Sequence, residues 1–192
     1  MIDVVMPKNK KDEELFKETA LALGWKDVIF LYPDKKNDVV LASQTQISSL
    51  KSTKLVFSEA SRSAIERGAH VLFNFENDAR EDFLHHRASG LNHVLCKLMQ
   101  DKGSFMAFNF NNILNSDDIF CSKILGRIQQ NISLCRKFKV PMIVFSFAKT
   151  PFEMRSPQDL RSFFLDLGIH PKEFSDGFFH FSDLLDKVRK KG

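Results

Sequence analysis

Two hydrophobic rhythms alternate along most of this chain. Short β-branched and aromatic runs, the pattern of buried strands, fall at residues 2–6, 27–32, 54–58, 70–75, 104–110 and 140–147, with a weaker one at 39–42. Between them apolar residues recur three and four apart, the period of a helix with one buried face. Residues 12–23 begin with the acids Asp12, Glu13 and Glu14, carry a stripe of Leu15, Phe16, Ala20 and Leu23, and stop at Gly24. Shorter helical pieces are expected near 44–51 and before Gly68. Residues 90–102 place Leu91, Val94, Leu95, Leu98 and Met99 on one face and end at Gly103. Residues 117–139 predict a long helix with Ile124, Ile128, Ile132 and Cys135 inward, and 157–167 another, stopped by Gly168. Residues 169–192 fit neither rhythm cleanly until a basic helix at about 180–191, so a final strand stays open there.

Strands alternating with helices imply right-handed βαβ units and a parallel sheet. An open doubly wound sheet and a closed barrel both satisfy this. No GxGxxG or GxxxxGK[ST] follows any strand, which removes the familiar nucleotide-binding readings. With seven or eight strand candidates, the expected fold is an irregular, TIM-like (β/α) barrel forming one domain over residues 1–192. No internal repeat or linker interrupts it.

Composition adds little to this picture. Phe occurs 20 times against one Trp and one Tyr, and a ring with no polar handle is mainly core filler. The chain carries 28 basic and 24 acidic residues, net +4, which permits an anionic partner without naming one. Cys96, Cys121 and Cys135 form no CxxC pair. No apolar run is long enough for a membrane span, and the N-terminal run is too short for a signal peptide. The expectation is a cytoplasmic protein with reduced thiols and no membrane partner.

Barrels of this kind hold their chemistry at the C-terminal ends of the strands. Those positions are Lys8 and Asn9; Asp34; Ser58 and Glu59; Asn74 and Glu76; Asn109, Asn111 and Asn112; and Ser146 and Lys149. A hydrolase could use Glu59 or Glu76 as base and Lys149 to stabilise developing charge. A solvated polar rim explains the same residues. Metal chemistry is poorly served: the first strand ends in MPKN, with no His pair, and adjacent His85 and His86 diverge on a helix.

The cations are more suggestive. Arg87, Lys97 and Lys102 flank one helix. Lys123, Arg127, Arg136, Lys137 and Lys139 fall off the apolar stripe of the next, where they read as a solvent face suited to phosphate. Arg155 stands before Ser156, a good N-cap, and Pro157, a good first helical residue, with Asp159 three positions after the cap. A cation there opposes the helix dipole. Either Arg155 helps to form an anion site with the free N–H groups, or it pairs with Asp159 or another carboxylate.

Two segments, RASGLNHVLCKLMQDKG (87–103) and RIQQNISLCRKFKVPMIVFSFAKTPFEMRSPQDL (127–160), resemble the barrel-type protein subunit of archaeal and eukaryotic ribonuclease P, called protein component 3 in archaea. The matching pieces are Ser89, Gly90, Leu91 and Asn92; Arg127 with Asn131; and Arg155-Ser156-Pro157 with Asp159. Gln158 stands where some relatives have a basic residue, and the tail from Ile169 matches poorly. The resemblance implies a barrel related to the polymerase-and-histidinol-phosphatase barrels and a non-catalytic role. It implies as partners the catalytic ribonuclease P RNA, precursor tRNA, a small ferredoxin-like subunit and other ribonuclease P proteins. The chain itself would bind no cofactor, Mg2+ belonging to the RNA. Candidate RNA contacts are then Arg87, Lys97, Lys123, Arg127, Arg136, Lys137, Lys149 and Arg155. The alternative is a stand-alone metal-dependent phosphoesterase of the related barrel superfamily.

Overall fold

A computed structural model describes residues 1–33, 37–50, 53–83 and 85–190. Asp34 and Lys191 therefore lie outside the described residues. Strand β1 (Ile2–Val5) pairs in parallel with β2 (Asp27–Phe30). Strands β3 (Val39–Leu41), β4 (Leu55–Glu59), β5 (Val71–Phe73), β6 (Phe105–Asn109) and β7 (Met142–Phe145) form a five-stranded parallel sheet in chain order. The alternation of strand and helix forces this arrangement, because parallel neighbours need crossovers.

Backbone hydrogen bonds bridge both seams between the two sheets. Leu41 N, at the end of β3, donates to Tyr32 O, just beyond β2, at 2.9 Å. On the other side Phe147 N donates to Val4 O and Met6 N to Ala148 O, each at 2.9 Å. The result is a barrel-like ring. Between β2 and β3 the described residues hold no helix, which makes the ring irregular.

Around the strands run α1 (Glu13–Ala22), α2 (Gln44–Ile47), α3 (Arg62–Glu66), α4 (His93–Lys102), α5 (Phe110–Leu114), α6 (Asp118–Phe138), α7 (Pro157–Asp166) and α8 (Pro171–Arg189). The apolar stripe of α6 packs as its spacing predicts: Ile124, Ile128, Ile132 and Cys135 are buried. Two stripe positions differ. Leu15 on α1 and Val94 on α4 are exposed. Leu91 precedes α4 because Asn92 caps that helix.

The phenylalanines fill the interior. β4 and β7 are not neighbours in the sheet, so the 6.2 Å approach of Phe57 to Phe145 is made across the enclosed space. Phe147 stacks on Phe73 at 4.8 Å between ring centres. The C-terminal segment resolves as α8, which closes the end where the strands begin. Phe178 meets Trp25, just before β2, and Phe181 meets Phe105, the first residue of β6, together with Phe57 and Phe145. Gly177 lets α8 come this close: a Cβ there would sit 2.0 Å from Met142 O at the start of β7. No described helix is long and apolar enough to cross a membrane.

Candidate nucleic-acid interface

Beyond β5 the chain must travel to α4 without regular structure. Asn74 leaves the strand at φ 66°, a left-handed conformation that Asn tolerates better than most residues, and residues 75–77 make one tight turn. The long stretch that follows carries many polar groups, and α6 satisfies them. Arg127 of α6 is fully buried. Its Nε donates to Asp82 Oδ1 at 2.9 Å, its Nη1 to Glu76 O and Asp78 O at 2.7 Å each, and its Nη2 to Arg80 O at 2.6 Å. A planar fork with several fixed donors suits this task in a way an ammonium does not.

One turn along α6, Asn131 Nδ2 donates to Glu76 Oε1 at 2.8 Å, and Ser89 Oγ donates to Asn131 Oδ1 at 2.7 Å. Gln130 grips the Arg87 backbone from both sides, accepting from its N–H and donating to its carbonyl, both at 2.8 Å. Gly90 turns at φ 75°, and a Cβ there would stand 3.0 Å from Phe75 O. Asn92 Oδ1 then caps α4, accepting from Val94 N and Leu95 N. Ser89, Arg127 and Asn131 thus meet in one internal clamp, with Gly90 turning the chain beside it and Asn92 capping the helix that follows.

Two expectations are corrected here. Arg127 does not lie on a solvent face, because the largely exposed stretch after β5 covers it and its guanidinium holds that stretch by three carbonyls and Asp82. Glu76 does not project from the strand ends as a base. It is buried against Asn131, and burial raises its carboxyl to about 7 against the opposing pull of Asn131 and Arg127. Among the described residues no group of three or more His, Cys, Asp and Glu is placed to hold a metal ion.

The second set of singled-out residues follows β7. Ser146 donates through its backbone N–H and its hydroxyl to buried Asp3 of β1, at 2.9 and 2.5 Å. Burial raises the Asp3 carboxyl to about 6, opposed by those hydrogen bonds. Phe147 follows at φ 47°, strained for a bulky side chain, and this turn delivers its ring to the interior. After the turn at Pro151–Glu153, Arg155 Nη1 donates to Phe152 O and Met154 O, and its guanidinium lies 5.9 Å from the Phe110 ring centre. Its carbonyl accepts from Trp25 Nε1 at 2.9 Å. The ion-pair reading does not hold: among the described residues Arg155 pairs with no carboxylate, and Asp159 instead accepts from Ser156 Oγ while Ser156 caps α7. Pro157 occupies the first turn as expected.

The remaining cations divide by partner. Arg136 donates to both Glu173 oxygens at 2.6 Å and to Gly168 O, tying α6 to α8 and holding the Glu173 carboxyl below the usual range. Lys123 pairs with exposed Glu81 at 2.9 Å, and Arg87 with Asp82 at 3.2 Å. Burial pushes the Asp82 carboxyl up, but hydrogen bonds from Arg127, Ala88 N and Arg87 outweigh it and leave it low. Lys97, Lys137 and Lys149 are exposed and have no carboxylate partner among the described residues. The acids Asp82 and Asp3 escaped sequence reasoning, since nothing in their local pattern marks them as partners of distant Arg127 and Ser146.

At the strand ends a cavity of about 550 Å³ opens, lined by Met6, Leu41, Ser58, Glu59 and Phe73 among others. Beside it Asn109 and Asn112 donate to Asn74 Oδ1 at 2.9 and 2.7 Å. The polar rim expected there exists, much of it bonded to itself.

No family model matches the chain. In sequence it is 32% identical over 75 residues to ribonuclease P protein component 3 of Methanocaldococcus jannaschii, covering 39% of this chain and 32% of that protein. It is 29% identical over 116 residues to the component 3 protein of Methanosarcina mazei, covering 58% and 47%. The matches therefore span about a third to a half of these relatives' lengths. In fold it matches a chain in a cryo-EM structure of archaeal ribonuclease P with mature tRNA, with a TM-score of 0.73 and 20% identity, over 99% of this chain and 93% of that one. The chain is thus similar in sequence to archaeal ribonuclease P protein component 3, and it shares its fold with a chain of such an assembly.

Proposed function

We propose that this chain is a protein subunit of ribonuclease P, the endoribonuclease that removes 5′ leaders from precursor tRNA. The sequence match to component 3 proteins of several archaea carries this reading. In it the chain supports the catalytic RNA, pairs with a small ferredoxin-like subunit, works beside other ribonuclease P proteins in the cytoplasm and performs no chemistry itself. Mg2+ belongs to the RNA. Its barrel belongs with the polymerase-and-histidinol-phosphatase type. The inward turn of Glu76 supports a scaffold over the phosphoesterase alternative, since only Glu59 of the two proposed bases remains at the rim.

Reconstitution tests the proposal. The chain is combined with the ribonuclease P RNA and small partner subunit of the same genome, and precursor-tRNA cleavage is followed at moderate Mg2+. The expected result is stimulation that depends on the chain, with no cleavage by protein alone. Absence of stimulation, together with metal-dependent phosphoesterase turnover by the isolated chain, would overturn it.

A further inference from the structure

We infer that the groove between the C-terminal ends of α4 and α6 is a track for the phosphodiester backbone of RNA. The inference rests on reading the chain as an RNA-contacting subunit and says where that contact lies.

The two helices pack side by side, with Cys96 and Cys135 buried. Where they end, a groove of about 340 Å³ is lined by Lys97, Gln100, Asp101, Lys137, Phe138 and Lys139, and Lys102 closes α4 next to it. All four lysines are exposed. Elsewhere on these segments the cations are spent on the protein itself: Arg127 on the stretch after β5, Arg136 on Glu173, Lys123 on Glu81. Among the described residues the groove lysines have no ion pair, and Asp101 is the one carboxylate lining the groove. Unmatched lysines spaced around a shallow groove are the chemistry that displaces counterions from a nucleic-acid backbone.

A backbone observation points the same way. Helices α1, α3, α4 and α7 turn out through a glycine of positive φ: Gly24, Gly68, Gly103 and Gly168. α6 leaves through Lys139 at φ 57°, a conformation that suits glycine and strains a lysine. The side chain is kept where the helix end alone would favour its removal. A cation at a helix C-terminus does interact well with the dipole. That account and the RNA account give opposite expectations for Lys139→Gly.

The groove also lies at the end of the ring where strands begin, since α4 leads into β6 and α6 into β7. RNA bound there would leave the cavity at the opposite end uncovered.

The test measures binding of the full chain to the ribonuclease P RNA of its genome across a KCl series, with melting temperature followed in parallel. The variants are Lys139→Gly alone, Lys97→Ala/Lys137→Ala/Lys139→Gly together, and a charge-matched control, Lys26→Ala/Lys172→Ala/Lys190→Ala. The triple groove variant is expected to bind about ten-fold more weakly at moderate salt and to lower the slope of log K against log [salt] by about 2, at ~0.7–0.9 per phosphate contact. Lys139→Gly is expected to bind more weakly while melting no lower than the wild type.

Binding and slope unchanged in the triple variant would overturn the groove while leaving the subunit reading intact. A drop in melting temperature for Lys139→Gly without loss of binding would assign that lysine to the helix end. An equal loss in the control would mean a diffuse charge effect. Thermal stabilisation of the wild type by inorganic phosphate, absent from the triple variant, would mark a free-phosphate site instead. If the wild-type chain binds no RNA, this inference falls, and the reconstitution assay decides the proposed function separately.

Discussion

Arg127→Ala is the perturbation for which the structure gives the clearest magnitude. It removes four hydrogen bonds from a residue with no exposed surface. It strands the carbonyls of Glu76, Asp78 and Arg80 and deprives Asp82 of its buried partner. Breaking a buried ion pair on one side costs about 3–5 kcal/mol, because desolvated groups lose compensation they cannot recover from water. Domains of this size are stable by about 5–15 kcal/mol, so the variant should fold but melt much earlier. Urea unfolding can be followed by Trp25 fluorescence, the chain holding one Trp. With a slope of ~2 kcal/mol/M, the midpoint should fall by about 2 M. Arg127→Lys keeps the charge without the fork and should recover only part of the loss. Amide exchange adds a local readout. The N–H groups of Arg87 and Ala88, held by Gln130 and Asp82, should lose protection before those of β5. An unchanged midpoint combined with a lower salt slope for RNA binding would refute this reasoning and return Arg127 to the surface.

Three further outcomes follow from particular contacts. Asp3 and Glu76 hold their protons more tightly folded than unfolded, with carboxyls raised to about 6 and about 7. Their stabilising contribution is complete below about pH 4 and is lost as pH rises through 6 to 7, by roughly 1.4 kcal/mol for each pH unit that separates the folded from the unfolded pKa. Urea midpoints between pH 4.5 and 8 should fall across that window for these groups, and Asp3→Asn/Glu76→Gln should flatten the dependence; an equal slope in the variant would contradict it. Gly177→Ala should destabilise by about 1–3 kcal/mol, because the new Cβ meets the backbone oxygen of Met142 and overpacking outweighs the gain in helix propensity; a raised melting temperature would show that α8 sits further from β7. Arg155→Ala should cost less than about 1 kcal/mol, since its side chain makes two hydrogen bonds and one ring contact near the surface, yet weaken assembly or cleavage in the reconstituted enzyme. Normal assembly and cleavage would remove Arg155 from the interface.

The parts of the fold that rest on period were readable in the sequence, and those that rest on distant pairing were not. Strand and helix order needs only local spacing, so α6 and the parallel strands emerge from residues three, four or two apart. The C-terminal segment misled because α8 is apolar on one face for an unusual purpose: Phe178 and Phe181 enter the barrel interior rather than lie over its outer wall. Val94 and Leu15 kept the helical period yet remain exposed, since period fixes which side chains share a face and not how far the burying surface extends. Arg127 shows the larger gap. Its place off the apolar stripe predicted solvent, but the stretch after β5 folds back over that face and turns it into an interior. No spacing rule foresees a cover supplied by a segment 45 residues away.

That same gap separates the resemblance from the chemistry. Ser89, Gly90, Asn92, Arg127 and Asn131 carried one part of the likeness to the ribonuclease P subunit, Arg155 to Asp159 another, and the first five serve the internal clamp or the cap beside it. Such residues answer to geometry: a left-handed turn needs glycine, a buried set of carbonyls needs a guanidinium, an amide pair needs matched donors and acceptors. Contacts to a phosphate backbone impose no comparable demand, because a lysine on a flexible stem reaches a charge from many positions. A motif recognisable in sequence is therefore expected to mark the clamp rather than the RNA. Lys97, Lys137 and Lys139 fall within the resembling segments but are not among the matching residues; they have no ion pair among the described residues and border one groove. The clamp fixes the stretch leading into α4 against α6, and those two helices form the walls of that groove. On this argument the motif would serve the proposed RNA track indirectly, by fixing where the helices end.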